Sequence, residues 1–332
     1  MSMNLKDYVL NSPVRLAMPV MTHPGIEALG YTVKQAVSDG EIHCTAMEYL
    51  ADHFPTMAAT AIMDLTMEAE AFGAEIVMTD DEIPSVVGRL VNDLASVEAL
   101  KVPDLSAARV PEYLKANKLA VERIKDKPIL SGCIGPFSLA GRLFDMSEIM
   151  MGIYLEPETI TLLLQKCTAF IKEYCIALKA IGTHGVIMAE PAAGLLADEE
   201  CFQFSSVYVK EIVEAVQDDS FAVILHNCGN SGQCTPAMIA SGAVGLHFGN
   251  AIAMEEVLEA CPSDCLVMGN LDPVGVFRQG SPDSIKIASS VLLKQTASYK
   301  NFVISSGCDL PPGVSVDNLN AFFSTIEKFN NA

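Results

Sequence analysis

Basic residues are scarce in this chain of 332 residues. Twenty-one lysines and arginines stand against 41 acidic residues, for a formal net charge of −20. Nucleic-acid phosphates need a basic surface, so that class of partner is excluded, and anionic membranes with it. Only six arginines occur: Arg15, Arg89, Arg109, Arg123, Arg142 and Arg278. The opening residues, 1–7, lack the apolar core of a secretory leader, and ten cysteines then read as reduced thiols of a cytoplasmic protein. A long stretch free of charge, 226–254, is broken by Gly, Asn, Gln and Pro. It is a poor membrane span and reads as buried structure. Low-complexity segments, linkers and sequence repeats are also missing, which leaves one domain over 1–332.

Half of the residues are hydrophobic, enough for a sizeable core. Apolar, β-rich runs recur and stop at polar or Gly/Pro residues. They cover 16–21 (stopping near His23), 74–78 (before Asp80 and Asp81), 128–130, 185–188, 221–225, 243–246, 265–268 and 302–304. Between them lie helical patterns, with apolar residues at three-to-four spacing in 157–181, 205–216 and 317–329. Continuous apolar strands alternating with helices imply a parallel sheet. Eight such units favour an α/β fold of the (β/α)8 TIM-barrel type. Longer spacing before the second and third runs implies extra N-terminal helices at the barrel's entrance or floor. Function in this fold sits at the C-terminal strand ends.

Two of those ends carry soft ligands. The run 221–225 leads into His226-Asn227-Cys228-Gly229, and 302–304 leads into Ser305-Ser306-Gly307-Cys308-Asp309. His226 and Cys228 are two apart and point the same way in extended chain. The fifth and eighth strands of a barrel empty into one bowl. One imidazole and two thiolates suit Zn2+ and leave a position open for substrate. The other cysteines read as packing; Cys261 and Cys265, for example, have a spacing unusual for a zinc knuckle. Glu190 ends the preceding strand and reads as a displaceable fourth ligand, a catalytic base, or a structural carboxylate bonded to amides. Of Asp80 and Asp81, one is expected to face the bowl as a catalytic acid and the other to cap a helix. His247 reads as a contact behind the ligands or to substrate, or as a core histidine. Asn270 and Asp272 read as contacts to substrate or cofactor, or as caps.

These residues make the chain recognisable. It resembles the uroporphyrinogen decarboxylase superfamily over nearly its whole length. The block 132–140, with Gly135-Pro136, is similar to that superfamily's glycine-proline segment, and Gly269-Asn270-Leu271-Asp272-Pro273 to its G-N-x-D-P piece. His226, Cys228 and Cys308 match the zinc motif of its corrinoid-dependent branch, the methylcobamide:coenzyme M methyltransferases. The resemblance implies that these three hold zinc, which activates a small, coenzyme M-like thiol. That thiol would take a methyl group from a methylated corrinoid protein, the partner that supplies the corrinoid. A sulfonate on the thiol calls for a cationic contact, with Arg142 as the candidate. Homocysteine, other thiols or a folate remain alternative acceptors, and a barrel without catalysis is a third alternative. The decarboxylase branch would place arginines after the first strand, where 18–25 has none.

Overall fold

The computed structural model describes residues 3–332. Among the described residues nine strands form: β1 (Ala59–Thr60), β2 (Glu75–Val77), β3 (Ser85–Val87), β4 (Ile129–Ile134), β5 (Gly185–Ala189), β6 (Ala222–Asn227), β7 (Gly245–Phe248), β8 (Leu266–Leu271) and β9 (Phe302–Ser306). Seven make one parallel sheet in the order β1-β4-β5-β6-β7-β8-β9. Residues 16–20 close it. Met18 N–H donates to the Ile304 carbonyl on one side, and Met57 N–H donates to the Ala17 carbonyl on the other (2.9 and 2.8 Å). With that segment the curled sheet has the eight staves of a TIM barrel, as the sequence leads one to expect.

Side-chain alternation explains the core. Leu130, Ile187, Ile224, Met268 and Val303 share one buried cluster with Met18. Leu5 and Val9, from the helix Leu5–Leu10, join that cluster and plug the barrel. Their strand neighbours Val186, Met188, Val223, Leu225 and Ile304 belong to a second cluster with the surrounding helices. Both faces of each strand are thus buried, which is why these runs are uniformly apolar. The helix Pro157–Ile181 is the longest, and Leu163, Cys167, Phe170, Ile171, Tyr174 and Leu178 bury one of its stripes. It ends at Gly182, whose φ of 100° suits a residue without Cβ. Among the described residues, no helix is long and apolar enough to cross a membrane.

The second predicted strand needs correction. Residues 75–77 do form a strand, but it pairs antiparallel with β3 in a separate two-stranded sheet. The barrel's second stave is β1, within 57–63. That run is Met-Ala-Ala-Thr-Ala-Ile-Met, alanine-rich and poor in β-branched residues, so propensity alone passes over it. Only tertiary pairing holds it extended. Ala59 N–H donates to the Pro128 carbonyl and Ala61 N–H to the Leu130 carbonyl. Extra helices do precede β4, as expected.

Candidate metal centre

His226 and Cys228 continue the inward face of β6, two and four residues beyond Ile224. A double asparagine staple then shapes the chain. Asn227 Oδ1 accepts from the Gly229 and Asn230 amides, and Asn230 Oδ1 accepts from the Gly232 and Cys234 amides. Gly249 lies so close that an added Cβ would come within 2.6 Å of the Cys228 carbonyl oxygen. Cys308 arrives on the loop after β9, which is pinned to the closing segment. Leu310 N–H donates to the Val20 carbonyl, and Thr22 N–H donates to Asp309 Oδ1.

The result is one His and two Cys whose ligand atoms all lie within 4.8 Å of one another. This donor set fits zinc: one nitrogen, two sulfurs and room for a fourth ligand. The two thiols stand within hydrogen-bonding reach of each other. The hydrogen bond from Cys308 brings the Cys228 thiol down to about 7, and the same contact, with burial, pushes Cys308 up to about 12. Cys228 is therefore the more readily ionised of the two. Above the triad is a small cavity of about 70 Å3, walled by Val20, Met63, Leu65, Ile187, Ala189, Pro191 and Asp309. Hydrogen bonds to Thr22 notwithstanding, burial raises the Asp309 carboxyl to about 7.

Behind His226 stands His247, its register partner on β7. The two Nδ1 atoms are 2.8 Å apart, and His247 Nε2 lies 2.8 Å from Ser305 Oγ. Both His247 and Ser305 are fully buried. Burial, with His226 alongside, lowers the His247 imidazole well below its ordinary value.

Glu190 follows β5 but is not part of the metal ligands' group. Its carboxylate accepts from the Phe137 and Ser138 amides, both at 2.8 Å, and from Ser205 Oγ. These amides open the helix Pro136–Phe144, where the dipole favours an anion. An added Cβ on Gly135 would come within 2.1 Å of Glu190 Cγ, so glycine is needed there. Of the three readings of Glu190, this geometry favours the structural carboxylate. Burial raises its pKa, against the pull of those hydrogen bonds.

The remaining expected site residues lie elsewhere. Asp80 and Asp81 are exposed between β2 and β3, beside His23 and Arg278, because their strand is not a barrel stave. Asp80 therefore does not reach the triad's cavity. Asn270 Nδ2 donates to the Gly249 and Ile252 carbonyls and fastens the loop after β7. Asp272 caps the turn Pro273–Arg278 by accepting from the Val274 and Gly275 amides. Neither lines the cavity, so the capping reading fits both. Arg142, on the helix Pro136–Phe144, is likewise no wall of it. Asp64, at the true end of the second stave, escaped the sequence reading. It pairs with buried Arg109 and accepts from Tyr113 Oη at 2.8 Å. Met63, Leu65 and Ser305 were also missed. The signal for Asp64 and Arg109 was slight: a rare arginine in an acidic chain.

The uroporphyrinogen decarboxylase (URO-D) family profile matches residues 6–329. The chain belongs to that family. A methylcobamide:CoM methyltransferase, MtbA of Methanosarcina acetivorans, is 28% identical over 290 residues, covering 86% of this chain and 84% of the relative. A uroporphyrinogen decarboxylase of Dichelobacter nodosus is 22% identical, over 87% of this chain and 84% of its own length. Among solved structures, a methyltransferase from Methanosarcina mazei superposes with a TM-score of 0.88, covering 98% of each chain at 23% identity. That likeness confirms the fold.

Proposed function

We propose that this protein is a zinc-dependent methyltransferase that moves a methyl group from a methylated corrinoid protein to a small thiol. The observation that carries the reading is the convergence of His226, Cys228 and Cys308 at the mouth of the barrel. Similarity to methylcobamide:CoM methyltransferases supports the same chemistry. His226, Cys228 and Cys308 would hold the metal. When bound there, zinc supplies the Lewis acidity that keeps an acceptor thiol ionised near neutral pH, where a free thiol of pKa about 8.5 is mostly protonated.

The chain's own residues do the rest. The apolar walls, Val20, Met63, Leu65 and Ile187, exclude water from the acceptor sulfur and suit a short alkyl chain. As ligands Cys228 and Cys308 would each give up a thiol proton, which would couple metal loading to pH. The transfer forms a sulfur–methyl bond and breaks the cobalt–carbon bond. The electron pair of the latter stays on cobalt, and the thiol proton leaves to solvent. The corrinoid carries that hard step, and the partner holding it docks over the strand ends. A porphyrinogen with eight carboxylates fits poorly in a cavity of about 70 Å3 with neither lysine nor arginine among its described walls.

The test is zinc per chain for wild type and Cys308→Ser, side by side, followed by demethylation of methylcobalamin with a panel of small thiols. About one zinc in wild type, little in the variant, and thiol methylation only with zinc are expected. A Cys308→Ala protein with full zinc and full turnover would sink the proposal.

A further inference from the structure

We infer that His247 and Ser305 are positioning residues that hold His226 in the tautomer able to ligate a metal. The inference rests on reading the triad as a metal site. It starts at a backbone carbonyl. Ser305 Oγ lies 2.6 Å from the Met18 carbonyl oxygen. A carbonyl accepts only, so the single hydroxyl proton of Ser305 lies between them. Without it, two oxygens would face each other at repulsive distance.

Ser305 Oγ must then accept from its other neighbour, Nε2 of His247, 2.8 Å away. His247 therefore carries a proton on Nε2. Its ring is fully buried, and its two ring nitrogens face a hydroxyl and another imidazole, with no carboxylate to stabilise a charge. The ring is neutral, and Nδ1 holds a lone pair. That lone pair faces His226 Nδ1 at 2.8 Å, so His226 donates from Nδ1. The one remaining nitrogen of His226, Nε2, is then bare. The opposite tautomer would set two lone pairs against each other.

Nothing in this relay is local in sequence. His226 and His247 meet because Ile224 pairs with Gly245 in the parallel register of β6 and β7. Ser305 points inward two residues beyond Val303. Met18 is present because residues 16–20 close the barrel. Partners of this kind, which orient a ligating histidine, are worth about 10- to 100-fold in metal affinity.

The experiment uses the full chain with 15N-labelled histidine, first without metal. Long-range 1H–15N correlations are expected to show His226 protonated on Nδ1 and His247 on Nε2. Zinc affinity is then read by chelator competition. Ser305→Ala is expected to weaken it about 10- to 100-fold and to mix the His226 tautomers, while Ser305→Thr, which keeps the hydroxyl, restores both. Thermal unfolding of the metal-free variants separates misfolding from this effect. Wild-type His226 protonated on Nε2, or unchanged zinc affinity in folded Ser305→Ala, would overturn the inference. Should a variant unfold, the wild-type spectrum still decides. The expected tautomers in a protein that takes up no zinc would uphold the relay and defeat the metal reading alone.

Discussion

Asp64 and Arg109 form a buried ion pair at the end of the barrel's second stave. Arg109 also binds Glu70 at 2.5 Å, Thr66 Oγ1 and the Val37 carbonyl. One arginine thus ties the stave's end to the helix Met67–Ala71 and to the N-terminal helices. Asp64→Ala leaves a guanidinium in the interior without its main partner. A loss of about 3–5 kcal/mol is expected, read as a shift in the denaturation midpoint. Replacing both residues by apolar ones of similar volume should cost less than Asp64→Ala alone. Equal costs would show that the unpaired charge is not the cause.

Glu190 separates a structural from a catalytic carboxylate. Glu190→Gln turns an amide donor toward the Ser138 N–H, leaving a buried donor unsatisfied. Stability is expected to fall by about 1–3 kcal/mol with zinc per chain unchanged. Loss of zinc at unchanged stability would return Glu190 to the metal's ligands.

Asp80 is exposed on the β2–β3 turn. Asp80→Asn is expected to change thiol methylation by less than about twofold, in line with the small effects of exposed substitutions. A hundredfold loss of turnover in a folded variant would contradict that placement.

Glu68 predicts a pH dependence of stability. It is buried, accepts from the Ile134 amide, and burial raises it from 4.5 to about 7. Between those values the native state keeps a proton that the unfolded chain has lost. Native protein then binds more protons, so the contribution of Glu68 to stability falls as pH rises through this window. Glu68→Gln keeps an oxygen acceptor and removes the titration. Relative to wild type, it should gain up to about 3 kcal/mol between pH 4.5 and pH 8 in chemical denaturation. The same difference at both pH values would rule the effect out.

The sequence by itself determined the alternation of strands and helices from β4 onward. There each strand is buried on both faces and so reads as an unbroken apolar run. It also determined His226 and Cys228 as neighbours on one face, because strand geometry repeats every two residues. Tertiary structure alone decided which segment is the second stave. The alanines in 57–63 carry little strand preference, while the β-rich 75–77 found its partner outside the barrel. With that misplacement went Asp80, moved out of the bowl, and Asp64, moved in behind it. Glu190, Asn270 and Asp272 end strands as read, yet the amides and carbonyls they bind belong to segments distant in sequence or to turns that periodicity does not specify. The relay from Met18 through Ser305 and His247 to His226 spans the closure of the barrel. No pattern within one strand contains it, because it exists only when the first and last staves meet.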